Sequence, residues 1–196
     1  MIYCVFLVLM FLAAFLLQEC VPVTIAILEA LLSAVFDAGV GDLLHRAKVL
    51  FLQAYFFAAA MSVPFPAMLG LALLSGIAWD ATNALIWSEG SPGFGAGPLL
   101  LGFLGAVANG AYGLVIQGKR LMPVMLAGAC IFVFLVSEYL WINFRAGDFQ
   151  FPVGFWVKTA GTAVLTCAVV PVFLSALSWG RIATGFGKES YLPEFR

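Results

Sequence analysis

The chain has 196 residues and a formal net charge of −1, and 64% of its residues are hydrophobic whereas only 10% are charged. Its mean hydropathy is +1.09. Soluble domains are about half apolar and about a quarter charged, so this composition predicts an integral membrane protein and excludes a sizeable soluble domain. Without a basic run, the sequence does not predict a nucleic-acid partner. Four scattered cysteines and one histidine argue against a disulfide framework or a metal site, and we expect no cofactor.

The apolar N-terminal run, residues 2–18, predicts the first membrane span, because it lacks the positive region and cleavage site of a signal peptide. Glu19 and Pro22 close it. We interpret residues 22–36 as an interfacial or re-entrant helix, since Glu29 near the bilayer centre would cost about 2.5–3.5 kcal/mol. If this segment does span, the N-terminus lies outside.

Prolines and glycines separate the remaining predicted spans. Residues 49–63 are predicted to form the second span, which Pro64 and Pro66 terminate. A glycine-rich loop, residues 88–97, divides the third span from the fourth. The later spans are residues 67–87, 98–117, 123–144 and 159–179. Together these segments predict an all-α bundle of about six transmembrane helices that forms one membrane domain.

Basic residues set the predicted orientation, because cytoplasmic loops carry the excess of Lys and Arg. Lys119 and Arg120 follow the fourth span, whereas Arg181 and Lys188 follow the sixth. Both termini are therefore expected in the cytoplasm, with residues 180–196 as a cytoplasmic tail.

Three polar residues interrupt the apolar spans: Asp80, Asn109 and Glu138. Ionisable groups inside a membrane are candidate functional residues. At 1.5 Å per residue, the two acids are expected roughly 10 Å below the outer surface and Asn109 somewhat deeper. They could share one polar layer. They are interpreted as caps or hydrogen bonds between helices, as a polar cavity or partner site, or as an ion relay.

Small residues recur at helical spacing in two neighbouring spans, which lets helix backbones approach closely. The positions are Gly76 in the third span and Gly102, Gly105, Gly110 and Gly113 in the fourth. Packing of these two helices within one protein molecule is the favoured interpretation, and a homodimer interface is the alternative.

No residues form a recognisable catalytic set, so the sequence does not predict an enzyme. The glycine-rich run also lacks the terminal Gly-Lys-Ser/Thr of a phosphate-binding loop. The aromatic segment between the fifth and sixth spans offers candidate partner contacts instead, at Phe151, Phe155 and Trp156. Anchoring in the membrane interface is the alternative interpretation for Trp156.

The order of these features resembles the bacterial rod shape-determining protein MreD family. The resemblance includes a first span ending in residues 15–18, a second span beginning at residues 49–55, and a third ending in residues 76–80. A short glycine-rich loop, a small-residue fourth span and a last span containing residues 171–174 complete it.

The resemblance implies a non-enzymatic scaffold subunit of the cell-elongation complex in the bacterial cytoplasmic (inner) membrane. The implied partners are the single-span protein MreC, the MreB filament, and the glycosyltransferase and transpeptidase of lateral peptidoglycan synthesis. The family is similar in architecture to the substrate-binding subunits of energy-coupling-factor transporters, so such a subunit is the alternative function. The bulky run at residues 5–12 disfavours it, because those subunits present small residues on the first helix.

Overall fold

A computed structural model describes five stretches of the chain: residues 2–33, 49–86, 95–115, 121–147 and 152–184. Every regular element in these stretches is a helix. The helices are α1 (Ile2–Ser33), α2 (Phe51–Ala60), α3 (Phe65–Ile86), α4 (Ala96–Val115), α5 (Leu121–Ala146) and α6 (Val153–Thr184). The predicted all-α fold is confirmed for the described part of the chain.

Four of these helices, α1, α3, α5 and α6, are long and apolar enough to cross a membrane. Their apolar segments are Ile2–Cys20, Phe65–Thr82, Leu121–Arg145 and Val153–Thr184. The apolar segment of α4, Ala96–Ala111, is shorter, and α2 is shorter still. The membrane character predicted from composition is therefore supported by four helices. Helix α4 has 20 residues in all, and its prediction as a span stays a prediction.

The first helix differs from the prediction of a break near Glu19 and Pro22. The backbone of α1 continues through both residues to Ser33, so the first part of the predicted separate helix, residues 22–36, belongs to α1. A proline removes one donor from a helix, but neighbouring groups can satisfy the freed carbonyl in lipid. Residues 34–36 lie outside the described stretches.

The second predicted span, residues 49–63, contains a helix of only 10 residues, Phe51–Ala60. At 1.5 Å per residue this helix is about 15 Å long, about half of a hydrocarbon core of roughly 30 Å. It ends before Pro64, which disfavours helical geometry at the preceding residue. The helix is therefore shorter than the predicted span, and the prediction that residues 49–63 cross the membrane stays a prediction.

Helix α2 forms the centre of the bundle. All its residues after Phe51 are buried, and it contacts each of the other five helices. Helix α3 packs most extensively on α4, while α5 lies against both α4 and α6. The hydrophobic core is therefore arranged around a short, buried helix.

The start of α1 lies against the end of α6. A side chain at Gly180 would overlap the ring of Phe6, and Nε of Arg181 donates a hydrogen bond of 3.4 Å to the Tyr3 hydroxyl. We call this region the α1/α6 end. The predicted cytoplasmic tail accordingly begins as helix, because α6 continues to Thr184; residues 185–196 lie outside the described stretches.

Candidate functional site

Asp80 joins α3 to the beginning of α4. Its side chain is 4% exposed, its Oδ2 accepts a 2.6 Å hydrogen bond from the Gly95 N–H, and its Oδ1 accepts one of 3.1 Å from the Gly97 N–H. The first N–H groups of a helix lack partners within the helix, and that end carries partial positive charge. Asp80 therefore caps α4 with a carboxylate from the neighbouring helix.

Glycines allow the two helices to approach this closely. A Cβ added at Gly76 would overlap the backbone of Pro98, and one added at Gly97 would overlap the Asp80 carboxylate. Gly95 has a φ of 114°, in the left-handed region that glycine adopts without a steric penalty. The junction between α3 and α4 thus depends on glycine at three positions.

A narrow crevice lies beside this junction, and we call it the Trp79 crevice. Its lining residues are Trp79, Asp80, Ala96, Gly97, Leu100, Phe134, Glu138 and Trp141. Nε1 of Trp79 donates a 2.8 Å hydrogen bond to Oε1 of Glu138, and the Trp79 ring packs edge-on against Phe134 at 5.9 Å. The crevice brings together the two acids that the sequence placed at similar depth.

Asn109 does not join this site. Its Nδ2 donates hydrogen bonds to the carbonyl oxygens of Ala60, at 2.6 Å, and Val63, at 3.0 Å. Asn109 follows Gly97 by 12 residues along α4, which corresponds to about 18 Å. The hypothesis of one polar layer containing all three residues is therefore wrong, because Asn109 pairs with the end of a helix that stops inside the bundle.

The opposite end of α2 is capped by two other helices. The Leu52 N–H donates to Oε1 of Gln18 in α1 at 2.9 Å, and the Leu50 N–H donates to Oγ1 of Thr166 in α6 at 3.1 Å. The Thr166 hydroxyl in turn donates to the Thr162 carbonyl at 2.6 Å. Neither cap was predicted from the sequence, although each capping group belongs to a polar residue inside an apolar segment.

Two polar side chains of α2 differ in whether they have a hydrogen-bond partner. The Tyr55 hydroxyl donates a 2.7 Å hydrogen bond to the Leu7 carbonyl of α1, and its ring packs edge-on against Phe173 of α6 at 5.8 Å. Gln53 is fully buried, and neither its amide nitrogen nor its amide oxygen has a partner in the described structure. Gln53 is therefore the polar side chain of α2 whose burial costs the most.

The predicted small-residue positions fall into two groups. A Cβ at Gly105 would lie 2.7–2.8 Å from side chains of α2 and α3, and one at Gly76 would lie closer still, against the backbone of α4. Gly102 and Gly110 have no neighbour within 4 Å of such a Cβ. Gly113 belongs to α4, but the surroundings of its side-chain position lie outside the description. Close approach thus occurs at Gly76 and Gly105, whereas Gly102 and Gly110 face open space.

Two of the candidate partner contacts lie in the first turn of α6 rather than in a loop. Phe155 stacks on Tyr139 with ring centroids 3.8 Å apart, and Trp156 packs edge-on against Phe155 at 5.4 Å. Trp156 is 43% exposed. Phe151 lies outside the described stretches. The connection between the last two helices is shorter than predicted, since α5 extends to Ala146 and α6 begins at Val153.

These contacts define a helical bundle of membrane type in which polar side chains from one helix satisfy the backbone of another. Among the described residues, no group of three His, Cys, Asp or Glu side chains could hold a metal ion. Comparisons with protein-family models, with curated proteins and with solved structures found no match to this chain.

Proposed function

We propose that this protein is a non-enzymatic membrane scaffold subunit of the bacterial cell-elongation complex, as its resemblance to the MreD family implies. A binding role is supported by the partners of the intramembrane polar groups, which are backbone groups of neighbouring helices. Asp80 and Asn109 both hydrogen-bond to the backbone of a neighbouring helix. Such bonds hold the helices in a defined arrangement. A scaffold needs this, because its partners bind to outer faces whose relative positions must be fixed.

The proposed partners are an MreC-like single-span protein, MreB, and the elongation glycosyltransferase and transpeptidase. The proposed location is the bacterial inner membrane with both termini in the cytoplasm. Arg181 at the α1/α6 end supports this orientation, since short cytoplasmic segments are enriched in Lys and Arg. The exposed side chains near the start of α6, including Val153 and Trp156, would then lie near the outer surface.

Depletion in the protein's own rod-shaped host tests the function. We expect rounded cells, and affinity purification should recover the MreC-like protein together with the scaffold. Rods of normal shape combined with loss of uptake of one small molecule would contradict the proposal and favour the energy-coupling-factor transporter subunit.

Labelling of two matched positions tests the orientation. Val153 and Ile182 lie near opposite ends of α6 and are 79% and 80% exposed. In a cysteine-free variant, Val153→Cys should react with a membrane-impermeant maleimide in intact spheroplasts, and Ile182→Cys should react only after permeabilisation. The reverse pattern would place the α1/α6 end outside.

A further inference from the structure

The α1/α6 end carries a positive charge that no described carboxylate balances. The acidic side chains that the structure describes are those of Glu19, Asp80 and Glu138. Glu19 follows Tyr3 by 16 residues on α1, which corresponds to about 24 Å. Asp80 and Glu138 line the Trp79 crevice, near the other end of α6. Within the described part of the chain, the Arg181 guanidinium therefore has a hydrogen-bond partner in Tyr3 but no counter-ion.

Tyr3 fixes the position of this charge. The Tyr3 side chain is 4% exposed, and its hydroxyl accepts the hydrogen bond from Nε of Arg181. A guanidinium presents its N–H donors in a planar fork, which matches the geometry of a phosphate group. The bond to Tyr3 occupies Nε and leaves the N–H groups of the two terminal nitrogens for a bidentate partner.

The neighbouring side chains indicate the depth of Arg181 in the membrane. Trp179 is 72% exposed, and tryptophan is enriched at the level of the lipid headgroups. Arg181 also lies two residues, about 3 Å, beyond the end of the predicted last span, residues 159–179. Ile2 and Ile182 are 73% and 80% exposed and add apolar surface that acyl chains can cover. The guanidinium is therefore expected at the level of the lipid phosphates.

We propose that the α1/α6 end binds an anionic phospholipid, with the Arg181 guanidinium on the lipid phosphate and the acyl chains against apolar side chains such as Ile182. Charge selects the class of lipid. The headgroup of phosphatidylethanolamine contains its own cation, whereas the negative charge of phosphatidylglycerol is balanced by Arg181. This site is independent of the scaffold function proposed above and of the side of the membrane that the α1/α6 end faces.

Competition between two lipids tests the proposal. The purified full-length protein in a neutral detergent would be mixed with equal amounts of phosphatidylglycerol and phosphatidylethanolamine with matched acyl chains, and the lipid-bound forms would be quantified by native mass spectrometry. We expect preferential binding of phosphatidylglycerol. Arg181→Gln should lower its affinity about fivefold, the equivalent of about 1 kcal/mol for one arginine near an anionic lipid surface. Equal affinity of the unmodified protein for the two lipids would overturn the proposal.

Arg145→Gln is the matched control, because Arg145 is exposed at the end of α5, near the opposite end of the bundle. It removes the same charge and should leave the binding of phosphatidylglycerol almost unchanged. An equal loss in the Arg145→Gln and Arg181→Gln variants would overturn the proposal, since net charge alone would then explain the binding.

A second variant and a competitor test the geometry of the site. Tyr3→Phe keeps the charge and the ring that stacks on Phe6 but removes the hydroxyl that holds Nε, so it should cause a smaller loss of phosphatidylglycerol affinity than Arg181→Gln. Unchanged affinity would overturn the role of Tyr3 in positioning the guanidinium. Excess inorganic phosphate should not displace the lipid, because it cannot cover the apolar surface. Displacement would overturn the proposal in favour of a soluble phosphate ligand.

Discussion

Near both ends of α4, a polar side chain forms hydrogen bonds with backbone groups at the end of a helix, but the chemistry of the side chain differs. At its beginning, the Asp80 carboxylate of α3 accepts N–H groups from Gly95 and Gly97. Near its other end, the neutral Asn109 amide donates to the carbonyl oxygens of Ala60 and Val63. Since bonds to a charged group are stronger than neutral ones, the Asp80 junction should contribute more to stability than the Asn109 contact.

The largest expected effect is at Asp80. Asp80→Leu should lower the free energy of unfolding by about 3–5 kcal/mol, because it removes two charge-assisted bonds and leaves two N–H groups without their acceptor. Unfolding of the purified protein in mixed detergent micelles would measure it. Glu19→Leu is the control, since Glu19 is exposed on α1; equal tolerance of both changes would mean that Asp80 does not hold α4.

Glycine at the same junction should give the next largest effect. Gly76→Ala places a methyl group against the Pro98 backbone and should cost about 1–3 kcal/mol by overpacking. Gly70→Ala in the same helix meets no atom within 4 Å and should be neutral or stabilising by up to about 1 kcal/mol. The same unfolding assay compares them, and a stable Gly76→Ala protein would show that α4 can move away from α3 cheaply.

Asn109→Ala tests the contribution of the contact made by the neutral Asn109 amide. Hydrogen bonds between membrane helices average about 0.6 kcal/mol, so loss of two should cost about 1–2 kcal/mol. Asn143→Ala is a control of the same residue type, because the Asn143 amide nitrogen has no partner in the described structure. If Asn109→Ala proved more damaging than Asp80→Leu, the order of the two junctions would be reversed.

The smallest expected effect has the opposite sign. Gln53→Met keeps the length of the side chain but removes the amide whose two polar atoms lack partners. We expect stabilisation of roughly 0.5–1 kcal/mol, measured by the same unfolding transition. A loss of stability would mean that Gln53 gains a hydrogen-bond partner, such as water, in the folded protein.

Part of this arrangement was predictable because some residues conflict with their local surroundings. Asp80 and Asn109 are polar within apolar runs, and the interpretation that they cap a helix or bond across the bundle describes what the structure shows. Pro64 likewise indicated the end of the helix before it. Such conflicts can be recognised in a sequence because they involve only a residue and its few neighbours on either side.

The rest required contacts between distant parts of the chain. The bond from Leu50 to Thr166 joins residues 116 positions apart, and nothing near either residue indicates the other. The half-length of α2 was missed for the same reason, since residues 49–63 are as apolar as a true span. Only the enclosure of α2 by five helices explains why a helix of that composition can be so short.

The contact between Phe6 and Gly180 should also leave a trace in evolution. The Phe6 ring occupies the volume that a side chain at position 180 would need, so a larger residue at position 180 requires either a displaced ring or a smaller residue at position 6. In homologous chains the two positions should covary, with a larger residue at one accompanied by a smaller residue at the other. Such paired variation would record the contact across 174 positions of sequence without any structure determination.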